Sequence, residues 1–320
     1  MRTFLACIVA FVVLSSGARA QEKWPSQTVR IIVPFPAGGS TDLTAREVAQ
    51  GLTSEFGGTF IVENRAGAGS TLGNASVAKA PADGYTFLIT SSHYSIVPSL
   101  YENLQYDPVK DLKGVSLLVN LPVILVATPK LPVSNVKELI EYDRANPGKL
   151  NFGSSGAGGV NHLSGELFNA MASTKLVHVP YKGTAPAMQD LLGGHVQLMF
   201  DAISTSLPSI RSGSIKALAW TGAKRAAILP DLPTIAESGV PGYDTTSWLA
   251  MFAPAGTPDD IVQKVSVAVR KILNQPALKE KQTALGIEVV ASTPAELDQT
   301  VRTEMEKWSA LIKKLGIKAE

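Results

Sequence analysis

The fold class is decided by a stretch near the start of the chain, Val29-Arg30-Ile31-Ile32-Val33-Pro34-Phe35-Pro36-Ala37-Gly38-Gly39-Ser40-Thr41-Asp42. Residues 29–35 are mostly apolar and rich in β-branched side chains, which is typical of a buried strand. The small residues that follow lead into the segment 41–56, where apolar side chains recur at roughly helical spacing. This order of strand, glycine-containing loop and helix is typical of an α/β fold.

The same order of strand and helix recurs along the chain. Further strands are predicted at 60–63, 85–90, 115–119, 123–127, 150–152, 176–180, 196–200, 215–220 and 248–253. Helices are predicted at 70–80, 134–145 with Ser134 as cap, 160–171, 184–192, 204–211, after the cap Thr257, and from the capping box 293–296 to about residue 315. We expect mostly parallel sheets covered by helices. The length of 320 residues predicts about two domains, and because no linker appears, we expect two lobes that share strands.

The first twenty residues are predicted to be a secretory signal peptide. They combine a charged start, an apolar run at 4–14 and small residues with Ala18 and Ala20 in A-x-A spacing, so cleavage is expected after Ala20. A membrane anchor is the alternative, but the run is shorter than the ~20 residues that span a bilayer. Cys7 is the only cysteine. The mature chain therefore offers no disulfide, thiolate ligand or thiol nucleophile.

Charge and motif searches exclude several classes of function. Lys and Arg number 29 against 27 Asp and Glu, so no basic excess favours a nucleic acid as partner. The four histidines lack H-x-x-x-H spacing, and no phosphate-binding or dinucleotide motif is complete, so neither a metal nor a cofactor is expected. A secreted hydrolase using Ser154 or Ser155 stays open as an alternative, although Gly153-Ser154-Ser155-Gly156-Ala157 lacks the last glycine of G-x-S-x-G.

Five small-residue loops follow predicted strands and open onto helices, at 34–42, 64–71, 90–93, 151–159 and 181–186. A helix N-terminus carries unpaired N–H groups and about half a positive charge. In open α/β sheets, ligands bind beyond the carboxyl ends of strands. Several such loops around one cleft predict an anion site, for which a carboxylate fits better than a phosphate. Asp201, which follows the strand 196–200, could accept from a ligand amine, from a water, or from N–H groups of its own lobe. Arg65 is expected to pair with a carboxylate, and contact with the ligand is the alternative.

The loops also carry a resemblance to a known family. The stretch 24–42, with Trp24-Pro25, resembles the opening of the Bug (TctC-like) receptors, which are the periplasmic solute-binding proteins of tripartite tricarboxylate transporters. Further matching segments are Val62–Gly69, Ala80–Thr86, Val179–Gly183, Leu229–Thr234 and Glu237–Tyr243. Together they extend over essentially the whole mature chain.

The resemblance implies an α/β periplasmic-binding-protein fold with two lobes and two crossover segments. Lobe 1 would comprise residues 21–122 and 246–320, and lobe 2 residues 123–245. A small carboxylate would bind between lobes that close by a hinge, and the protein, a monomer in the periplasm, would deliver it to an inner-membrane permease. A ligand-sensing role towards a membrane signalling partner is the alternative. The expected ligand-binding residues are Phe35, Gly38, Gly39, Ser40, Thr41, Gly67, Ala68, Ser91, Ser92, His93, Ser154, Ser155, Gly158, Gly159, Val160, Thr184 and Asp201.

Overall fold

The structure is a computed structural model, which describes residues 24–101 and 103–317. The predicted signal peptide lies outside the described residues. The strands are β1 (Val29–Val33), β2 (Phe60–Asn64), β3 (Thr86–Ser91), β4 (Leu112–Leu121), β5 (Val123–Ala127), β6 (Asn151–Ser154), β7 (Val177–Pro180), β8 (Leu198–Ala202), β9 (Lys216–Trp220), β10 (Ser247–Pro254) and β11 (Glu288–Val289).

The helices alternate with these strands. They are α1 (Ser40–Phe56), α2 (Thr71–Ala78), α3 (His93–Leu100), α4 (Val136–Ala145), α5 (Val160–Ala172), α6 (Thr184–Gly193), α7 (Ile203–Arg211), α8 (Asp259–Leu273), α9 (Pro276–Ala284) and α10 (Pro294–Leu315). A single 3₁₀ turn, Ala68–Ser70, precedes α2. No helix in the described ranges is long and apolar enough to cross a membrane.

Two sheets with the same plan organise the described chain. The first has the order β11-β4-β10-β3-β1-β2, and the second has the order β7-β6-β8-β5-β9. In each sheet three neighbouring strands are paired in parallel, β1, β2 and β3 in the first and β6, β7 and β8 in the second. A fourth strand has the same direction, β4 in the first sheet and β9 in the second. Helices cover both faces of each sheet, as the buried clusters on either side of the strands show. The α/β fold class is confirmed.

The prediction that the sheets are mostly parallel is confirmed by strand direction, which four of the six strands share in the first sheet and four of the five share in the second, although both sheets also contain antiparallel pairs. Strand β5 runs antiparallel to β8 and β9, and β10 runs antiparallel to β3 and β4. Each of these strands enters its sheet directly from the other sheet. Its direction is therefore set by the crossing of the chain, whereas a strand–helix–strand unit makes parallel neighbours.

The two crossover segments lie side by side. The chain passes from β4 to β5 through Pro122, and it returns between β9 and β10. The backbone N–H of Thr221 donates to the carbonyl oxygen of Val123 at 3.0 Å, and the N–H of Thr245 donates to the carbonyl oxygen of Thr221 at 2.9 Å. The Thr221 hydroxyl donates to the carbonyl oxygen of Thr245 at 2.7 Å. These bonds join the outgoing and returning segments. The predicted division into residues 21–122 with 246–320 and residues 123–245 stays a prediction.

Local signals place most helix ends correctly and two of them wrongly. The capping box of Thr293 and Glu296 is present at the start of α10. Helix α4 is capped by Asn135 instead of Ser134, because the Asn135 side chain accepts the N–H of Glu138. Thr257 does not cap α8, which starts after Pro258 without a side-chain cap. Helices α3 and α9 and strand β11 were not predicted, since each is short or weakly periodic.

Candidate functional site

The predicted site residues follow strands that end at a common edge of each sheet. Strands β1, β2 and β3 are parallel neighbours, so the loops after Val33, Asn64 and Ser91 leave the first sheet on one side. Strands β6, β7 and β8 do the same in the second sheet, where the loops follow Ser154 and Pro180. This is the edge at which open α/β sheets bind ligands.

The first loop is shaped by a buried carboxylate that the sequence analysis did not single out. Asp42 accepts hydrogen bonds from the N–H of Gly38 at 2.9 Å and from Asn64 Nδ2 at 3.0 Å, and it forms an ion pair with Arg46 at 2.9 Å. Asn64 Nδ2 also donates to the carbonyl oxygen of Phe35 at 3.0 Å. Burial raises the pKa of Asp42, but these hydrogen bonds and the Arg46 charge outweigh it, and the net shift is downward. The carboxylate therefore stays ionised.

The hydrogen bonds and ion pair of Asp42 leave the start of α1 without a side-chain cap. Gly38 has a φ of 86°, a conformation that favours glycine, and its N–H is used by Asp42. Gly39 caps the helix without a side-chain hydrogen bond, and Gly39 and Ser40 are exposed. The first-turn amides of Ser40 and Thr41 have no acceptor one turn earlier in the helix. Of the predicted loop residues, these amides are the ones positioned to bind an anion.

The second loop has an unusual backbone. Gly67, Ala68, Gly69 and Ser70 all have positive φ, with values of 140°, 45°, 58° and 80°. Non-glycine residues rarely adopt this conformation, and such strain clusters at functional sites. A β-carbon built on Gly73 would lie 2.6 Å from the side chain of Pro34, so α2 packs against the first loop. The second loop therefore leads into a helix that contacts Pro34, the first residue of the first loop.

In the third loop, after β3, Ser92 forms hydrogen bonds with strand β10. Ser92 is fully buried; its N–H donates to the carbonyl oxygen of Trp248 at 3.0 Å, and its hydroxyl lies 3.1 Å from that of Ser247. These polar groups contact the returning strand β10, and the ligand contact of Ser92 stays a prediction. Ser91 Oγ lies 3.3 Å from Nδ1 of His93. Burial lowers the pKa of His93 to about 4, so its ring is neutral near pH 7.

The fourth loop, from Ser154 to Val160, is held by hydrogen bonds to two histidines, His178 on β7 and His162 on α5. Ser154 Oγ donates to the carbonyl oxygen of Gly156 at 2.9 Å and lies 2.6 Å from Nε2 of His178. The N–H of Gly158 donates to Nδ1 of His162 at 3.0 Å. The Ser154 hydroxyl is therefore internal to the loop and does not face a ligand. Gly159 caps α5 without a side-chain bond, which leaves the first amides of that helix uncapped.

The last two predicted site residues, Thr184 and Asp201, differ in burial. Thr184 starts α6, is half-buried, and follows Gly183, which caps the helix without a side-chain hydrogen bond. Asp201 is 1% exposed, and Thr205 and Ser206 at the start of α7 donate their hydroxyls to its carboxylate. Burial raises the pKa of Asp201, and these hydroxyls partly offset the shift. The hydroxyls of Thr205 and Ser206 are donors to Asp201 that its position in the sequence did not indicate.

Several of the loops converge on His93. The rings of Phe35 and His93 are 5.9 Å apart. A β-carbon built on Gly159 would lie 3.2 Å from Nε2 of His93, and one built on Gly158 would lie 2.5 Å from a methyl group of Leu100 at the end of α3. The N-termini of α1, α3 and α5, which belong to different sheets, therefore meet in one region. A β-carbon on Gly156 would lie 3.6 Å from the carbonyl oxygen of Tyr181, which brings the fifth loop next to the fourth.

Two arginines beside these loops are engaged by acids. Arg46 pairs with Asp42 at 2.9 Å, and Arg65 pairs with Glu63 at 3.0 Å, as expected for Arg65. Helix N-termini contribute further positive potential to the region. Among the residues from 24 to 317 that are described, no group of three or more acidic, histidine or cysteine side chains is arranged to hold a metal.

The structure brings a serine next to a histidine, which bears on the hydrolase alternative. Ser154 Oγ already donates its single proton to Gly156, so it accepts from Nε2–H of His178. A general base would instead need to accept the hydroxyl proton at that nitrogen. Within the described chain, the nearest acid to the histidine pair is Glu166, which lies 3.7 Å from His162 and not from His178. The arrangement is that of a structural contact.

Comparisons with known proteins agree with this geometry. The family described as "Tripartite tricarboxylate transporter family receptor" matches residues 44–317. A solved structure described as R. palustris Rpa4515 with adipate is 40% identical, with a TM-score of 0.84 over 92% of this chain and 99% of that one. The periplasmic binding protein BugD is 39% identical, with a TM-score of 0.81 over 93% of this chain and all of that one.

A third similar structure is MatC (Rpa3494) from Rhodopseudomonas palustris with bound malate. It is 34% identical, with a TM-score of 0.80 over 90% of this chain and 100% of that chain. These relatives are two-lobe solute-binding proteins, and their sequences match nearly the whole of the described chain. The chain therefore belongs to the tripartite tricarboxylate transporter receptor family, the TctC/Bug family of periplasmic solute-binding proteins, and it is a receptor and not an enzyme.

Proposed function

We propose that this receptor captures a small dicarboxylate between two lobes, residues 21–122 with 246–320 and residues 123–245. It would work in the periplasm after removal of residues 1–20 and deliver the ligand to the inner-membrane permease of a tripartite tricarboxylate transporter. The observation that carries the proposal is the meeting of the N-termini of α1, α3 and α5 around His93, where α1 and α5 start without side-chain caps. The relatives with adipate and malate support a dicarboxylate.

The proposed contacts use backbone amides and a few hydroxyls. Amides of Gly39, Ser40 and Thr41 would bind one carboxylate, supported by the loop at Gly67 and Ala68. Amides of Gly159 and Val160, with the hydroxyls of Ser155 and Thr184, would bind from the other lobe, whereas the N–H of Gly158 already donates to His162. Helix N-termini attract anions without a cationic side chain. Ser92, Ser154 and Asp201 would act indirectly, because their polar atoms are bonded within the protein.

A ligand panel tests the proposal directly. Purified mature protein is mixed at pH 7.5 with adipate, malate, other mono-, di- and tricarboxylates and uncharged analogues of the same length. A dicarboxylate is expected to raise the melting temperature, because a ligand that binds only the folded state stabilises it by mass action. Calorimetric titration then gives the affinity. If no carboxylate shifts the melting temperature or titrates, the proposed ligand class is wrong.

The substitution Ser40→Asp tests which region binds. An acid in the first turn of α1 suits the helix dipole, so folding is expected to be unaffected or slightly stabilised. The same charge repels an incoming carboxylate, and we expect the affinity to fall by at least about tenfold, since ~1.4 kcal/mol corresponds to a factor of ten.

The matched control is Ser40→Asn, which has nearly the same size as Ser40→Asp and no charge. It is expected to keep the affinity within about threefold of the wild type, since ~0.6 kcal/mol is the scale of a small perturbation. Equal affinities for the aspartate and asparagine variants would show that the ligand does not approach the start of α1.

A further inference from the structure

His162 and His178 form a stacked pair beneath the Ser154–Val160 loop. Their ring centroids are 3.8 Å apart and the rings are inclined by 16°. Phe152 extends the stack, with its ring 5.0 Å from that of His178. The two histidines come from different elements, since His162 lies on α5 and His178 on β7. The proposed function assigns no role to the pair.

Each ring holds one part of the loop by a single hydrogen bond. His162 accepts the N–H of Gly158 at Nδ1, at 3.0 Å. His178 lies 2.6 Å from Ser154 Oγ, which in turn bonds both the N–H and the carbonyl oxygen of Gly156. Gly156 and Gly158 have φ values of 139° and 76°, so the loop has a backbone conformation that favours glycine. The amides that follow Gly158 start α5 and belong to the proposed carboxylate site.

The bond from Gly158 requires the ring of His162 to be neutral. An Nδ1 that accepts from Gly158 cannot also carry a proton, so protonation of His162 at that atom removes the acceptor and sets two N–H groups against each other. A proton on His178 would place a positive ring at stacking distance from its neighbour. Burial lowers the pKa of each ring to about 4, and the neighbouring His162 further lowers the pKa of His178.

The other titratable groups near the pair do not provide a strong counter-charge. Glu166, on α5, lies 3.7 Å from His162, and burial raises the pKa of its carboxyl. Tyr181, after β7, donates to Asp190 of α6 at 2.6 Å. His93 of α3 approaches the far side of Gly159, and burial keeps its ring neutral near pH 7.

We propose that His162 and His178 are positioning residues for the carboxylate-binding loop: the neutral stacked pair holds the amides of Gly159 and Val160 in their binding arrangement, and a proton on the pair releases them. This inference rests on the proposed function, because it assigns the loop to the ligand. It also makes ligand affinity depend on pH through groups that do not touch the ligand.

The variants are chosen to separate packing from hydrogen bonding. His162→Phe keeps a flat ring in the stack but has no acceptor for Gly158. His162→Asn offers an acceptor near the position of Nδ1 and cannot take up a proton. His178→Gln, combined with His162→Asn, gives a pair that keeps polar contacts but does not titrate. His195→Asn is the matched control, since His195 is exposed and lies outside the cluster.

The first measurement is hydrogen exchange of the ligand-free full mature chain at pH 7.5. In His162→Phe, peptides that contain residues 156–160 are expected to exchange about tenfold faster or more than in the wild type, the scale expected for loss of one buried hydrogen bond. The rest of the second sheet should be unchanged. His162→Asn and His195→Asn are expected to exchange as the wild type does. Unchanged exchange in His162→Phe would overturn the positioning role.

The second measurement is the affinity for adipate or malate, whichever the wild type binds, from pH 7.5 to pH 4. The ligand's own ionisation affects all variants alike, so the ratio of wild-type affinity to that of the His162→Asn/His178→Gln variant isolates the pair. This ratio is expected to be constant above pH 6 and to fall about twofold or more by pH 4, where rings with a pKa of about 4 are half protonated. A constant ratio overturns the proposal.

Failure of the proposal and failure of the proposed function give different results. If neither dicarboxylate binds to the wild type, the ligand class is wrong, while the exchange measurement still decides whether the pair orders the loop. If the wild type binds and His162→Phe binds equally well, the function stands and the positioning role is overturned.

Discussion

Asp42 is the buried charge on which the first candidate loop depends. Its carboxylate accepts hydrogen bonds from the backbone N–H of Gly38 and from the side-chain amide of Asn64, and it forms an ion pair with Arg46. The residue stands in the first turn of α1, where an acid is favoured by the helix dipole. A single side chain thus shapes the loop and leaves the next amides unoccupied.

Replacement of that charge should loosen the loop. Asp42→Asn keeps the size of the side chain but loses the ion pair and turns one acceptor into a donor facing Gly38. We expect the protein to lose about 1–3 kcal/mol of stability and the dicarboxylate affinity to fall with it. The melting temperature and calorimetric titration measure the two effects.

The control for this change is Asp260→Asn, at an exposed acid that pairs with Lys264 at 3.3 Å on α8. Exposed pairs one helical turn apart contribute about 0.3–0.5 kcal/mol. The control should therefore change the melting temperature little and the affinity not at all. Equal losses in the two variants would contradict the special role of Asp42.

At the scale of elements, helix starts divide into capped and uncapped ones. Helices α4 and α10 begin with side-chain caps from Asn135 and Thr293. The other helices of the described chain start without side-chain caps, and three of them, α1, α5 and α6, begin after a glycine, at Gly39, Gly159 and Gly183. These three carry the amides of the proposed contacts. A side-chain cap would occupy the amides that an anion needs, so an uncapped glycine start suits a binding helix.

Removal of a cap away from the site should affect stability alone. Thr293→Ala breaks the capping box with Glu296 and is expected to cost about 1 kcal/mol. Dicarboxylate affinity should stay unchanged, because the start of α10 takes no part in the proposed contacts. Thr300→Ala is the control on the same helix, since the exposed Thr300 hydroxyl bonds only the carbonyl oxygen of Glu296. A drop in affinity in Thr293→Ala would contradict the separation of cap and site.

Across the whole molecule, one cluster of buried apolar side chains joins helices that pack on the first sheet to a helix that packs on the second. Ile96 on α3 and Trp308 and Ile312 on α10 pack with Val160 and Leu163 on α5. Helices α3 and α10 pack around the first sheet and α5 around the second. The contact lies directly behind the N-termini of α3 and α5, so packing between the halves and the shape of the candidate site are coupled.

Buried histidines should make the stability of the whole fold depend on pH. Burial lowers the pKa of His93, His162 and His178 to about 4 in the folded chain, against about 6.5 when unfolded. Between these values the unfolded chain binds more protons, so the free energy of unfolding decreases as the pH falls from 6.5 towards 4 and is insensitive to these groups above 6.5. The raised pKa values of the buried acids Glu166 and Asp201 oppose this trend at its acidic end.

Melting curves of the ligand-free protein between pH 7.5 and pH 5 check this expectation. The melting temperature should be constant down to about pH 6.5 and then decrease. His195→Asn, which changes an exposed ring, should follow the wild type. A melting temperature that rises between pH 6.5 and pH 5 would contradict the assignment of these rings as neutral in the folded state.

The sequence by itself determined the elements and the loops of this protein. Apolar periodicity predicts the strands and most helices, and small residues after strands mark the starts of α1, α5 and α6. These signals are local, because a strand or a helix start depends on neighbouring residues. The family resemblance added the two-lobe architecture, which the solved relatives confirm.

Only the tertiary structure decided strand direction and which polar groups stay free. The crossing of the chain reverses β5 and β10, and no local pattern carries that direction. The hydroxyls of Ser92 and Ser154 meet Ser247 and His178, which are distant in sequence, so their burial could not be predicted from loop composition. The stacked pair of His162 and His178 has the same origin: each residue alone is an ordinary histidine, and its role depends on a contact that exists only after α5 packs against β7.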